Sequence, residues 1–252
     1  MRSVFPAILV AVLFVAAPAQ ADRREIVPTG QYPWSTVARV GYGHGWCSAV
    51  IIGPRLAATA AHCLWNKATG REMAPAALSV VVGWDRGRFV DGAGVVEAVT
   101  SPQWKPDEMP GYGPSQAGRD WALLKLDKPL GDEVGWVALS GAVASGQTVT
   151  AVGYGEDRKH VATAHIGCHI TGRLAGGAWT HDCDAVHGDS GGPVFSGEGD
   201  QLRVVAIHVA RFGLSDGTAA GGAVGAADFI ETARRMGAAA ENHFQLSRNR
   251  TP

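Results

Sequence analysis

The stretch 187-HGDSGGPVF-195 decides how the chain is read, because it sets the Ser190 hydroxyl between glycines and beside Asp189. As G-x-S-x-G it matches a nucleophile elbow, which needs a strand before it, a helix after it and a later histidine. His208 and His243 do follow. However, Pro193 comes at once, "VFSG" reads as a strand, and no alternation of strands and helices precedes it, so an α/β architecture does not fit. The other route to an activated hydroxyl is a base and an acid supplied from upstream. "LAATAAHC" (56–63) carries His62, and "GRDWALLKL" (118–126) carries Asp120.

The rest of the chain suits an all-β scaffold. Short β-prone runs recur between Gly, Pro and Asp turns: "STVARVGYG", "CSAVIIGPRLAATAAHC", "LSVVVGWD", "GAGVVEAVT", "WALLKLDKPL", "QTVTAVGYG" and "QLRVVAIHVA". Glycine supplies 34 of 252 residues, as expected of a chain that turns often. One late helix is predicted, with Asp228 as N-cap and Phe229, Ile230, Ala233 and Met236 on one face. "GTAAGGAVGAA" (217–227) reads as a flexible loop leading into a last strand. The turn-rich "DKPLGDEVG" (127–135) is the expected domain boundary.

The first 21 residues combine one arginine, an apolar run from Val4 to about Ala17 and a small-residue end, Ala19-Gln20-Ala21. This reads as a secretory signal peptide cut before Asp22. No later run is long enough to span a bilayer. The net charge of −1 leaves neither nucleic acid nor an acidic membrane as an obvious partner. In an exported chain, Cys47, Cys63, Cys168 and Cys183 favour two disulfides. Of three possible pairings, sequence position favours Cys47–Cys63 and Cys168–Cys183, each closing a loop worth about 3 kcal/mol. A zinc site built on His62-Cys63 and His181-x-Cys183 lacks the usual ligand spacing, and no metal or cofactor is expected. Trp34, Trp84 and Trp121 read as packing residues.

These segments together resemble the trypsin-like, chymotrypsin-fold serine proteases, from Pro33-Trp34 to the late helix. "CSAVIIGPRLAATAAHC", "DWALLKL", "AVGYG" and "GDSGGPVF" carry the likeness. The resemblance implies two six-stranded antiparallel β-barrels packed at a cleft, with a C-terminal helix. Residues 22–130 would form the barrel carrying His62 and Asp120, 131–242 the barrel carrying Ser190, and 243–252 a tail. It further implies that Ser190 attacks a peptide carbonyl, His62 moves the proton, Asp120 orients His62, and the amides of Gly188 and Ser190 bind the oxyanion. The implied product is a secreted or periplasmic, cofactor-free endopeptidase acting on peptides or proteins, monomeric for want of any sign otherwise.

Two features depart from the family pattern. Asp189 should meet a freed N-terminal amine or an arginine, yet "DRREIVPTGQYPW" puts Glu25 between Arg24 and Ile26, a start more like the bacterial, glutamyl-endopeptidase-like branch. Asp184 stands where trypsins keep the aspartate that receives Arg or Lys, which points to a basic preference. His208 in "AIHVAR" stands where the glutamyl enzymes bind an acidic side chain, although Ala185 replaces their threonine; His187 would edge the pocket mouth. The alternatives are glutamyl or narrow specificity, or a silent binding module on the same scaffold.

Overall fold

The computed structural model describes residues 22–43, 45–106, 112–213 and 219–243. The expected signal peptide and the tail beyond His243 lie outside them. In chain order the strands are β1 (Glu25–Ile26), β2 (Val37–Tyr42), β3 (Gly45–Gly53), β4 (Leu56–Thr59), β5 (Trp65–Asn66), β6 (Arg71–Glu72), β7 (Ser79–Val82) and β8 (Asp91–Thr100). They continue with β9 (Ala122–Leu126), β10 (Thr148–Gly153), β11 (Thr163–Arg173), β12 (Trp179–His181), β13 (Pro193–Ser196), β14 (Arg203–Gly213) and β15 (Ala219–Gly225). The helices are α1 (Pro114–Ala117), α2 (Leu130–Val134) and α3 (Ile230–Met236).

Two antiparallel barrels result. The first closes in the order β2-β3-β4-β9-β8-β7. In the second, β11-β10-β13-β14-β15-β12 closes because β12 pairs with both β15 and β11. Alternation explains the pairing: Ala38 and Val40 of β2 share a face with Val82 and Val80 of β7, and all four are sealed from solvent, as is Val37 on the opposite face of β2. A continuous apolar core then crosses from Ile51 and Leu124 in the first barrel to Tyr154, Phe195 and Ile207 in the second. Arg39 of β2 helps close the seam: its guanidinium lies 4.6 Å from the Trp46 ring and 4.7 Å from Trp84.

Both chain ends cross between barrels. β1 adds to β11 of the second barrel, pairing Glu25 with Ala164 and Ile26 with Thr163. After α3 the chain returns to the first barrel, where Ala239 N–H donates to Ile52 O at 3.0 Å. His243 then pairs with Trp136 and stacks on its ring. Trp121 is buried against Phe229, a packing role like that expected of it.

Three sequence expectations change. A 3-10 turn takes Ala226–Asp228, so the helix starts after Phe229 and not Asp228; it ends at Gly237, whose φ of 104° suits glycine. The boundary segment 127–135 holds α2 as well as turns. Within 217–227, where a loop leading into a last strand was expected, the last strand β15 takes Ala219–Gly225, and its Gly221 lies opposite His181 of β12. A Cβ at Gly221 would stand 2.0 Å from the His181 ring, so the small residues are there for close packing and not for flexibility.

Candidate active site

His62 sits in a 3-10 turn, Ala61–Leu64, at the end of β4. The Cys47–Cys63 disulfide ties that turn to β3, with the two Cα atoms 6.0 Å apart. Asp120 lies just before β9, which pairs with β4, so two neighbouring strands of one barrel deliver base and acid to the same end. Asp120 is sealed from solvent. Its Oδ1 accepts the His62 main-chain N–H at 2.8 Å, and its Oδ2 faces His62 Nδ1 at 2.5 Å. A third donor, the Tyr112 hydroxyl, also reaches Oδ2. The ring's hydrogen bond to Asp120 fixes Nδ1 as the protonated nitrogen and leaves Nε2 free for a neighbour in the cleft.

Ser190 comes from the other barrel, on the loop between β12 and β13. It lines a cleft of about 1380 Å³ together with His62, Tyr112, Ala185, His187, Gly188, His208 and Arg211. The loop is held by the first barrel through Ser48, whose N–H donates to Ser190 O and whose hydroxyl donates to Gly188 O, both at 2.8 Å. Glycine is required in this turn. Gly191 has a φ of +82°, and a Cβ there would lie 2.1 Å from Thr59 Oγ1. The amides of Asp189, Gly191 and Gly192 are all satisfied within the chain. Those of Gly188 and Ser190 donate to no acceptor among the described residues.

Asp189 is buried and meets Arg24, a guanidinium and not a terminal amine. Its Oδ2 accepts from Val186 N–H at 2.8 Å and faces Arg24 Nη1 at 3.4 Å. Burial pushes its carboxyl up to about 6, against the pull of the Val186 amide and Arg24. Arg24 is itself buried and shared with Asp22 and Asp157, at 3.0 and 2.6 Å.

Asp184 is already paired within the chain. It is turned towards the N-terminal arm, where Arg23 Nη2 meets Oδ1 at 3.0 Å and Arg23 N–H meets Oδ2 at 2.9 Å. It does not line the main cleft, but with Ala185, Asp189 and His208 it lines a small neighbouring cavity of about 10 Å³, where Arg23 is its cation. His208 does line the cleft, although it is nearly buried. Its Nδ1 lies 3.0 Å from His181 Nε2, and His181 is fully buried with Nδ1 unpartnered. Burial lowers His181 to about 4 and holds His208 well below the ordinary histidine range. Both rings are therefore neutral. Ala185 and His187 line the cleft mouth, and His187 is exposed.

Both expected disulfides form, and the second, Cys168–Cys183, ties β11 to the start of the nucleophile loop. The sulfurs of Cys63 and Cys183, the thiols of the zinc arrangement, are thus bonded to Cys47 and Cys168 respectively. Ser48 and Tyr112 carry no signal in the sequence, and His181 stands out there only beside Cys183 as half of a zinc arrangement, not as a partner of His208. Only their contacts reveal them, since an isolated Ser, Tyr or His carries no local signature of a distant partner.

Two barrels with an acid–base pair from one and a glycine-flanked serine from the other define the chymotrypsin-like class of serine proteases. The trypsin family model matches residues 23–232, and the chain belongs to that family. It is 25% identical over 190 residues to the glutamyl endopeptidase of Bacillus licheniformis, covering 69% of this chain and 52% of the relative, so it spans about half that protein's length. It is 24% identical over 241 residues to a trypsin-like protease of Streptomyces glaucescens, covering 86% of this chain and 82% of the relative. A solved structure of a Glu endopeptidase in complex with MPD matches with a TM-score of 0.70 at 24% identity, covering 86% of this chain and 97% of the other.

Proposed function

We propose that the chain is an exported serine endopeptidase that cuts after acidic residues by an acyl-enzyme mechanism. The observation that carries the reading is the buried Asp120–His62 pair facing the same cleft as Ser190, with two unused amides beside the serine. Ser190 Oγ attacks the scissile carbonyl as His62 Nε2 takes its proton. The carbonyl oxygen becomes an oxyanion held by the Gly188 and Ser190 amides. Collapse breaks the C–N bond, and the imidazolium returns the proton to the departing amine. Water then repeats the cycle on the ester, releasing the acid and restoring Ser190. In this structure no hydrogen bond joins the serine to the ring; such contacts commonly tighten only when substrate is bound.

The acidic preference rests on the histidine pair. If His181 Nε2–H donates to His208 Nδ1, the unpartnered His181 Nδ1 is an acceptor. The opposite tautomer would strand a buried N–H donor, the rarer and costlier defect. The favoured arrangement leaves His208 Nε2–H to donate to a substrate carboxylate. The glutamyl endopeptidase relatives support the same direction. Digestion of a diverse peptide library, with fragments read by mass spectrometry, tests this. Cuts after Glu, and none with Ser190→Ala, are expected; cuts after Arg or Lys would return Asp184 to the pocket floor and overturn the acidic preference.

A further inference from the structure

We propose that Tyr112 is a positioning residue for the proton relay, its hydroxyl holding the Asp120 carboxylate in the orientation that His62 needs. The inference rests on the reading of His62, Asp120 and Ser190 given above and adds a fourth member to that set.

A sealed carboxylate must receive hydrogen bonds to remain charged, because burial otherwise favours its neutral form. Asp120 has no water to turn to. Oδ1 is served by the His62 main-chain N–H, and Oδ2 takes both the His62 ring and the Tyr112 hydroxyl. The main-chain bond anchors one oxygen; the phenol fixes the rotation that presents the other to Nδ1. The hydroxyl has one proton and two acceptors within reach, Oδ2 and the Val209 carbonyl at the longer 3.4 Å. The charged, closer acceptor takes it. Burial first, then the charge of Asp120, raises the Tyr112 pKa above the usual phenol range, so the group is a donor throughout the working pH range.

Tyr112 is held in place independently of Asp120. Its ring meets the edges of Trp104 and His62, with centroids 6.2 and 6.1 Å away. The chain after it enters α1, which is pressed against the turn between β11 and β12. A Cβ on Gly176 in that turn would lie 2.3 Å from Ser115 N, and one on Gly118 would lie 2.7 Å from Gly176 O. Glycines at both positions let the second barrel brace the segment that carries the phenol. Through Val209 of β14, the same hydroxyl also abuts a strand of the cleft wall.

The test is a double-mutant cycle with Tyr112→Phe and Asp120→Asn, reading kcat and KM on one peptide substrate. Phe keeps the ring contacts and removes only the hydroxyl. Loss of one hydrogen bond to a charged group predicts a fall in kcat of about tenfold with KM within about twofold. In the Asp120→Asn background the same change should cost nothing further, because the carboxylate it orients is gone. A general packing defect would instead slow both backgrounds alike. Tyr112→Phe with unaltered kcat, or with an equal loss in both backgrounds, overturns the proposal. If Asp120→Asn itself keeps near-normal activity, the underlying relay fails first and is recognised by that single variant.

Discussion

At the scale of single residues, the two adjacent arginines of the N-terminal arm separate a structural ion pair from a superficial one. Arg24 is buried between Asp22, Asp157 and Asp189, whereas the Arg23 side chain is 42% exposed where it meets Asp184. Removing one partner of a buried pair strands the other charge and costs about 3 kcal/mol or more. An exposed pair contributes about 1 kcal/mol or less. Arg24→Ala should therefore lower stability by about 3 kcal/mol and release the loop bearing Gly188 and Ser190, with kcat falling. Arg23→Ala should change stability by less than about 1 kcal/mol. Urea unfolding and steady-state kinetics on the two variants check both, and equal effects would contradict the distinction. The arginines were visible in "DRREIVP", but which of them met Asp189 depended on how β1 seats against β11, a tertiary register that the arm alone does not encode.

Among elements, β15 shows how packing overrides composition. "AAGGAVG" looks like a flexible link, yet it is a nearly buried strand because its glycines make room for His181 and Phe212. Gly221→Ala should force the His181 ring out of its pairing with His208, destabilising the protein by about 1–3 kcal/mol through overpacking. Cleavage after Glu should weaken with it. Thermal unfolding together with the peptide assay reads both, and a neutral substitution would mean that the histidine pair has room to move. β11 was overlooked for the opposite reason. "TAHIGCHITGR" alternates buried and exposed positions only imperfectly, is interrupted by Gly167, and carries polar histidines on its faces, so no simple apolar period marks it. The strands around His62, Asp120 and Ser190 were legible because each pairs a dense apolar run with a sharp turn. The specificity wall was not, since the direction of Asp184 was decided by an arginine 161 residues away.

For the whole molecule, the buried titratable groups set a pH profile. His181 is held at about 4 and His208 well below 6.5, the value at which an unfolded histidine takes its proton. As pH falls from about 6.5 towards 4, the unfolded chain binds protons that the folded chain refuses, so stability is lost across that window. Asp189 acts in the other sense. Its carboxyl, raised to about 6 from 3.8, protonates first in the folded state and adds stability as pH falls between those values. These two histidines, with buried His165 lowered in the same sense, outweigh the one carboxyl and leave a net loss, expected as a drop of roughly 5 to 10 °C in Tm between pH 7 and pH 4.5. The His181→Gln, His208→Gln double variant should flatten that drop or reverse it. A calorimetric pH series on both proteins decides, and parallel curves would contradict the assignment of the buried pair.

The double barrel brings His62 and Asp120 from one wall and Ser190 from the other to one cleft, and the central proposal is that this makes Ser190 a nucleophile. The most direct measurement is reaction of the purified protein with a fluorophosphonate, followed by peptide mapping of the adduct. A single adduct on Ser190, absent from Ser190→Ala and formed far more slowly in Asp120→Asn, is the predicted result. No adduct, or one on another residue at an undiminished rate in Ser190→Ala, would contradict it.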